Sequence, residues 1–245
     1  MKTNNIKKII TTGFISLLMI TFIGCANIIA SGVKGNGKVI SKERVLQVFT
    51  SIDVSGAANI YLTQNDTQNL TIETDENLEP IIITEVKDGV LKIYNKENIN
   101  NPTKLNIYIS VKELNNLKVS GANDIIMKNK FKSSFFQINC SGASDLKLNL
   151  ESTTLNIASS GAGDIELEGS ATDVVFDISG ASEISAYQFA CKNAKINMSG
   201  AGSIKINASD NISGKVSGAS ALYYKGKPSI NNLSVSGVAK ISESK

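Results

Sequence analysis

Apolar and polar residues alternate with period two along most of this chain, and the alternation is phased on a recurring phrase, Ser-Gly-Ala. Copies begin at Ser55, Ser120, Ser141, Ser160, Ser179, Ser199 and Ser217, and a variant copy, Ser236-Gly237-Val238, follows. Four residues after each glycine stands Ile60, Ile125, Leu146, Ile165, Ile184, Ile204, Leu222 or Ile241. Two residues before it stand mostly Val, Ile, Met or Cys140, and four before it Ile52, Leu117, Ile138, Ile157, Phe176, Ile196, Gly214 and Leu233. Two residues after it come mostly small side chains, from Ala58 and Asn123 to Ala239, so the inward parity passes through the corner unbroken. Such alternation marks half-buried strands, whereas a helix needs spacings of three and four. Each copy therefore predicts two strands meeting at a glycine corner, where large inward side chains have no room.

From Gly121 on, the glycines recur at intervals of 21, 19, 19, 20, 18 and 19 residues. One coil of that length cannot bury its own apolar face, but a stack of coils can. The expected fold is all-β: a parallel β-helix of about twenty residues per coil, right-handed, with like residues laddered about 4.8 Å apart. Hairpins turning at each glycine are the competing arrangement, but they seldom keep the same inward positions through so many copies. Between Gly56 and Gly121 the phrase is missing for 65 residues, about three periods. Lys87-Asp88-Gly89 there separates two alternating runs and predicts a hairpin. Residues 38–119 are thus a less regular β-rich part capping the regular repeats of 120–245, and 38–245 is one domain.

Residues 1–24 stand outside that pattern. Lys2, Lys7 and Lys8 precede an apolar stretch from Ile9 to Ile23, too short for a comfortable membrane span, which runs into Gly24-Cys25. This resembles a bacterial lipoprotein signal: cleavage before Cys25, lipidation of Cys25, then a flexible tether over 25–37. The expected location is the bacterial cell envelope, held to a membrane by lipid and facing outward. Loss of residues 1–24 removes three lysines and no acid, leaving 22 basic against 22 acidic residues. A balanced surface makes no case for nucleic acid.

Gly35-Asn36-Gly37, Arg44, Phe49, Ile52-Asp53-Val54-Ser55-Gly56, Tyr61-Leu62-Thr63-Gln64, Asp75-Glu76-Asn77-Leu78, the run Glu85 to Ile93 and Ile107 to Leu117 together resemble the putative auto-transporter adhesin, head GIN domain family, formerly a domain of unknown function, DUF2807. The likeness spans roughly residues 35–240. It implies a β-helical envelope protein, often a lipoprotein, without established catalytic residues, and it transfers no functional site.

The chain has no His, which removes His-based triads, relays and metal sites. Cys140 sits at an inward position and reads as a small buried hydrophobe. Cys191 lies more than two repeats away, beyond the roughly 7 Å reach of a disulfide. Three residues after the glycines stand Asp124, Asp145, Asp164 and Glu183. In a stack they form an acid ladder that suits turn chemistry first, with Ca²⁺ as the one cation it could take. No other cofactor is expected. Tyr61, Tyr94, Tyr108, Tyr187 and Tyr223 are candidate sugar-stacking rings. The functional expectation is a non-enzymatic envelope module of adhesion type, presenting a β-helical face to a glycan or an envelope protein. The alternatives are a structural assembly lipoprotein and a β-helical glycan-cleaving enzyme. With Arg44 the single arginine, the last lacks the basic flanks an acidic cleft would need. Nothing in the sequence sets the oligomeric state.

Overall fold

A computed structural model describes residues 32–244. The chain winds into a β-solenoid of about 7 turns with roughly 19 residues per turn. The first turn carries β3 (Ser51–Gly56) before the glycine corner and β4 (Asn59–Gln64) after it. The stack continues through β10 (Asn116–Gly121), β11 (Asp124–Met127), β12 (Phe131–Cys140), β13 (Asp145–Ser159), β14 (Asp164–Ile178), β15 (Glu183–Met198) and β16 (Ser203–Val216). It ends with β17 (Ala221–Lys225), β18 (Ser229–Val235) and β19 (Lys240–Glu243). All these neighbours pair in parallel, and the registers reproduce the expected ladders. Ile125, Leu146, Ile165, Ile184, Ile204, Leu222 and Ile241 form one file. Leu117, Ile138, Ile157, Phe176, Ile196, Gly214 and Leu233 form the other.

The glycine corner has a stronger cause than backbone freedom. A Cβ on Gly161 would lie 2.0 Å from the Gly142 carbonyl oxygen, and one on Gly180 would lie 1.9 Å from that of Gly161. Neighbouring coils approach so closely here that only a residue without a side chain fits. The corner is also hydrogen-bonded from coil to coil, with Ala143 N donating to Gly121 O and Ala162 N to Gly142 O, each at 2.8 Å. Just inside it runs a buried polar file, Asn123, Ser144, Ser182 and Ser220. The Ser144, Ser182 and Ser220 hydroxyls donate to glycine carbonyls, and Asn123 Nδ2 donates to Ser120 O. These bonds satisfy groups that burial would otherwise leave at a cost.

A second corner falls inside the long strands, where the inward parity slips between Leu150 and Leu155. Phe131, Leu150, Gly169 and Phe189 share a register file there. The two buried rings flank a leucine and a glycine, so large and small residues fill the narrow bend together.

The span without repeats does not hold three further coils. Ser120 pairs with Ser55 and Gly121 with Gly56, so the first and second copies are adjacent in the stack despite 65 intervening positions. The intervening chain turns to the outer side of the first coil and closes it. There β7 (Val90–Asn95) lies parallel to β3, and β9 (Leu105–Val111) lies parallel to β4. Outside them run β6 (Ile82–Lys87), β5 (Asn69–Asp75) and β2 (Val39–Arg44), all antiparallel to their neighbours. Asp88 and Gly89 both take positive φ between β6 and β7, as the expected hairpin requires. The outermost strand β2 is guarded by charge, since Arg44 and Lys42 bond the buried Glu79. Burial raises the Glu79 carboxyl, but these cations hold it below its ordinary value.

Part of the expected tether is attached to this cap. β1 (Val33–Lys34) pairs with β8 (Ile99–Asn100). Gly37 N donates to Asp75 at 2.7 Å, and a Cβ on Gly35 would meet the same carboxylate at 2.5 Å. The signal segment and Cys25 lie outside the described residues.

Candidate functional site

Side chains ahead of the corner point alternately into the core and out, so the strands β10 to β18 present regular outward rows. Three residues before each glycine the row reads Asp53, Lys118, Asn139, Ala158, Asp177, Asn197, Lys215 and Ser234. Five residues before it, the later coils place Val175, Lys195 and Ser213 side by side. One residue before it runs the serine row of the repeat, whose hydroxyls turn back toward the preceding coil, as Ser217 Oγ does to Met198 O at 2.9 Å.

Two concavities open on this face. One, about 940 Å³, is lined by residues including Asp177, Lys195, Asn197, Lys215, Ser217 and Asn232. The other, about 310 Å³, reaches from Lys118 and Asn139 across Ala158 and Ser160. Both include Asp177 and Ser179, so they join into one groove running along the stack. Gly214, a member of the inward file, lies along it, where the β16–β18 register also shifts. Within the groove Asn197 Nδ2 donates to Asp177 at 2.7 Å, and Lys118 pairs with Asp53 at 3.0 Å. Lys195 and Lys215 make no ion pair among the described residues.

The other outer face carries the residues that sequence reasoning singled out. Asp124, Asp145, Asp164 and Glu183 do stand on adjacent coils. Asp145 Oδ1 accepts the backbone N–H of Asp164 on the next coil at 3.0 Å, and Lys205 covers Glu183. Among the described residues no three His, Cys, Asp or Glu side chains gather closely enough to hold a metal ion. Tyr61 and Tyr108 stack on each other at 5.0 Å, and Lys128 lies 4.6 Å over Tyr61. Lysines likewise cover Tyr187 and Tyr223. Tyr61 is thus in contact with both Tyr108 and Lys128, while Tyr187 and Tyr223 each have one lysine over the ring. Glu73 accepts from Lys104, Asn106 and Tyr108, and the Lys104 bond leads in holding its carboxyl below the ordinary value.

Cys140 and Cys191 are both free thiols. Burial pushes each up to about 12, helped at Cys191 by Asp173 and Asp210. Cys191 is the more deeply buried, and Cys140 is half-buried at the edge of the core. The groove lysines escaped the sequence reading because no motif marks them. The signal was there in the outward rows, where Lys195 stands between Val175 and Ser213 and Lys215 between Asn197 and Ser234.

No functionally curated protein matches the chain. Among solved structures, a putative adhesin from Bacteroides fragilis is similar at 29% identity and a TM-score of 0.82, over 87% of this chain and 100% of that one. A protein from Parabacteroides distasonis described as a putative lipid binding protein matches at 25% identity and TM-score 0.73, over 87% and 99%. A putative adhesin from the same species matches at 26% and 0.71, over 86% and 99%. The family model for the putative auto-transporter adhesin, head GIN domain (DUF2807) matches residues 48–228, and the chain belongs to that family.

Proposed function

We propose that this protein is a non-enzymatic, adhesion-type module of the cell envelope, tethered through lipid on Cys25, which holds a glycan chain along the outer groove. The observation that carries the reading is the groove itself. It runs over several coils, and hydroxyl, amide and amine groups of Ser179, Ser213, Asn197, Asn232, Lys195 and Lys215 line it beside the apolar surface of Ile178, Met198 and Ala158. Such groups suit an extended polyhydroxylated ligand, and the repeat offers them again about every 4.8 Å along the stack. The names of the neighbouring structures support an adhesion role. The lipid-binding description of the Parabacteroides neighbour fits this chain less well, since its interior is filled by Ile, Leu and Phe.

Tethering and binding are tested separately. Cells fed a labelled fatty acid should incorporate it into the native protein and not into Cys25→Ser, and an unlabelled native protein would remove the lipid tether. On a glycan array the purified protein should retain a subset of linear glycans. Uniform silence would instead favour a structural role in envelope assembly.

A further inference from the structure

We infer that the groove is built for an acidic polysaccharide, whose carboxylate or sulfate groups sit at Lys195 and Lys215. This rests on the glycan reading above and narrows it. The two lysines stand on adjacent coils, Lys195 opposite Ser213 and Lys215 opposite Asn197. That diagonal separates their Cα atoms by about 8 Å, from the strand spacing and the rise per residue. Three other lysines on the stack are neutralised where they stand, Lys118 by Asp53, Lys147 by Glu166 and Lys205 by Glu183, and Lys132 and Lys192, which also lack an ion pair among the described residues, do not line this concavity. Lys195 and Lys215 have no such partner among the described residues, and the one acid lining this part of the groove, Asp177, accepts a hydrogen bond from Asn197, so two lysines stand there against one carboxylate. The larger concavity therefore carries two lysines without an ion pair against one carboxylate, a net positive balance edged by serine hydroxyls. An ammonium group there gains from an anionic partner and loses no existing ion pair.

The same geometry argues for a glycan over single-stranded nucleic acid. Base recognition without sequence preference uses aromatic platforms beside the cationic track. This groove is lined by no aromatic side chain, and the stacked pair Tyr61–Tyr108 lies on the other strand face.

The test is binding of the purified full-length protein to immobilised polygalacturonate, dextran sulfate, uncharged dextran and single-stranded DNA. The native protein should bind one or both acidic polysaccharides in a salt-sensitive way and should ignore dextran. A preference between the two acidic polymers tells carboxylate from sulfate. Lys195→Ala/Lys215→Ala should weaken that binding by about tenfold or more, as expected for two surface ionic contacts. Lys195→Arg/Lys215→Arg should retain it, and Lys34→Ala/Lys87→Ala, which removes equal charge from the cap, should bind as the native protein does. Circular dichroism confirms that each variant is folded. If dextran bound as well as the acidic polymers, or the groove double variant bound unchanged, the anionic assignment would fail while the glycan reading survived. If DNA bound as tightly as the acidic glycans, the site would be a general polyanion surface and the inference would be wrong. Binding to no polysaccharide of either charge would overturn the glycan reading and this inference together.

Discussion

Replacing Gly161 by alanine separates close coil contact from backbone strain. Gly161 does not have the positive φ seen at several other repeat glycines, so an alanine there suffers no left-handed penalty. Its Cβ would nevertheless stand 2.0 Å from Gly142 O and 2.9 Å from Gly142 N. Ordinary contact begins at 3.4 Å, so the carbonyl must retreat by about 1.4 Å. That carbonyl accepts from Ala162 N at 2.8 Å, and Ser160 N donates to Cys140 O beside it at 3.0 Å. Losing the two bonds costs about 1 kcal/mol each. Forcing a methyl into a close-packed site adds about 1–3 kcal/mol. The expected destabilisation is therefore about 3–5 kcal/mol. Gly89 gives the contrast: its φ is +74°, and a Cβ there would meet nothing within 4 Å. Alanine at Gly89 should cost only the left-handed penalty, about 1–2 kcal/mol. Urea unfolding followed by circular dichroism measures both. If Gly161→Ala destabilised no more than Gly89→Ala, coil contact would not be what selects glycine at the corner.

Ile165→Asp places a lone carboxylate in the inward file between Leu146 and Ile184, and should abolish the cooperative unfolding transition; a melt like that of the parent would mean the file is not interior. Burial raises the Asp75 carboxyl from 3.8, but hydrogen bonds from Thr103 and from Gly37 N outweigh this and hold it lower. A depressed folded value stabilises above the unfolded pKa and is lost as pH falls through the folded one, so protease cleavage near Gly35 should rise below pH about 4. Asp75→Asn should raise that cleavage at neutral pH and flatten the acid dependence. Cys140 and Cys191, with thiols pushed up to about 12, should resist iodoacetamide at mildly alkaline pH and react once urea unfolds the chain; prompt labelling of the native protein would contradict their burial.

The ladders were legible because every coil repeats the same inward parity, and Ile165 or Leu117 can be placed from spacing alone. The neighbour relation of Gly56 and Gly121 was not legible. Periodicity reports how often the chain turns, not which coil lies next to which, and the inserted strands have the same alternation as the coils. The second corner was hidden for a different reason: no fixed residue marks it, and Ser152, Ala171 and Cys191 occupy equivalent places. The acids beside the corner were legible as a ladder, but the sequence did not show that Asp145 would bond the backbone of the next coil. The groove lysines sit at outward positions that tolerate Asp, Asn, Ala, Ser or Lys, so only the folded register shows them side by side.

The end cap also imposes an order on folding. Its pairings β2–β5, β5–β9, β6–β7, β3–β7 and β4–β9 all lie within residues 39–111. That unit can be complete before Asn116 exists, and it then offers two parallel edges, β3 and β4, to the chain that follows. Closing β10 onto β3 across 65 positions costs about 1 kcal/mol more than closing an ordinary coil of nineteen. A cap that is already rigid spans much of that distance with folded structure. Each later segment then adds to an edge that is already ordered. A chain delivered amino-terminus first would grow by templated addition, one coil at a time in a single direction, without waiting for its last residue.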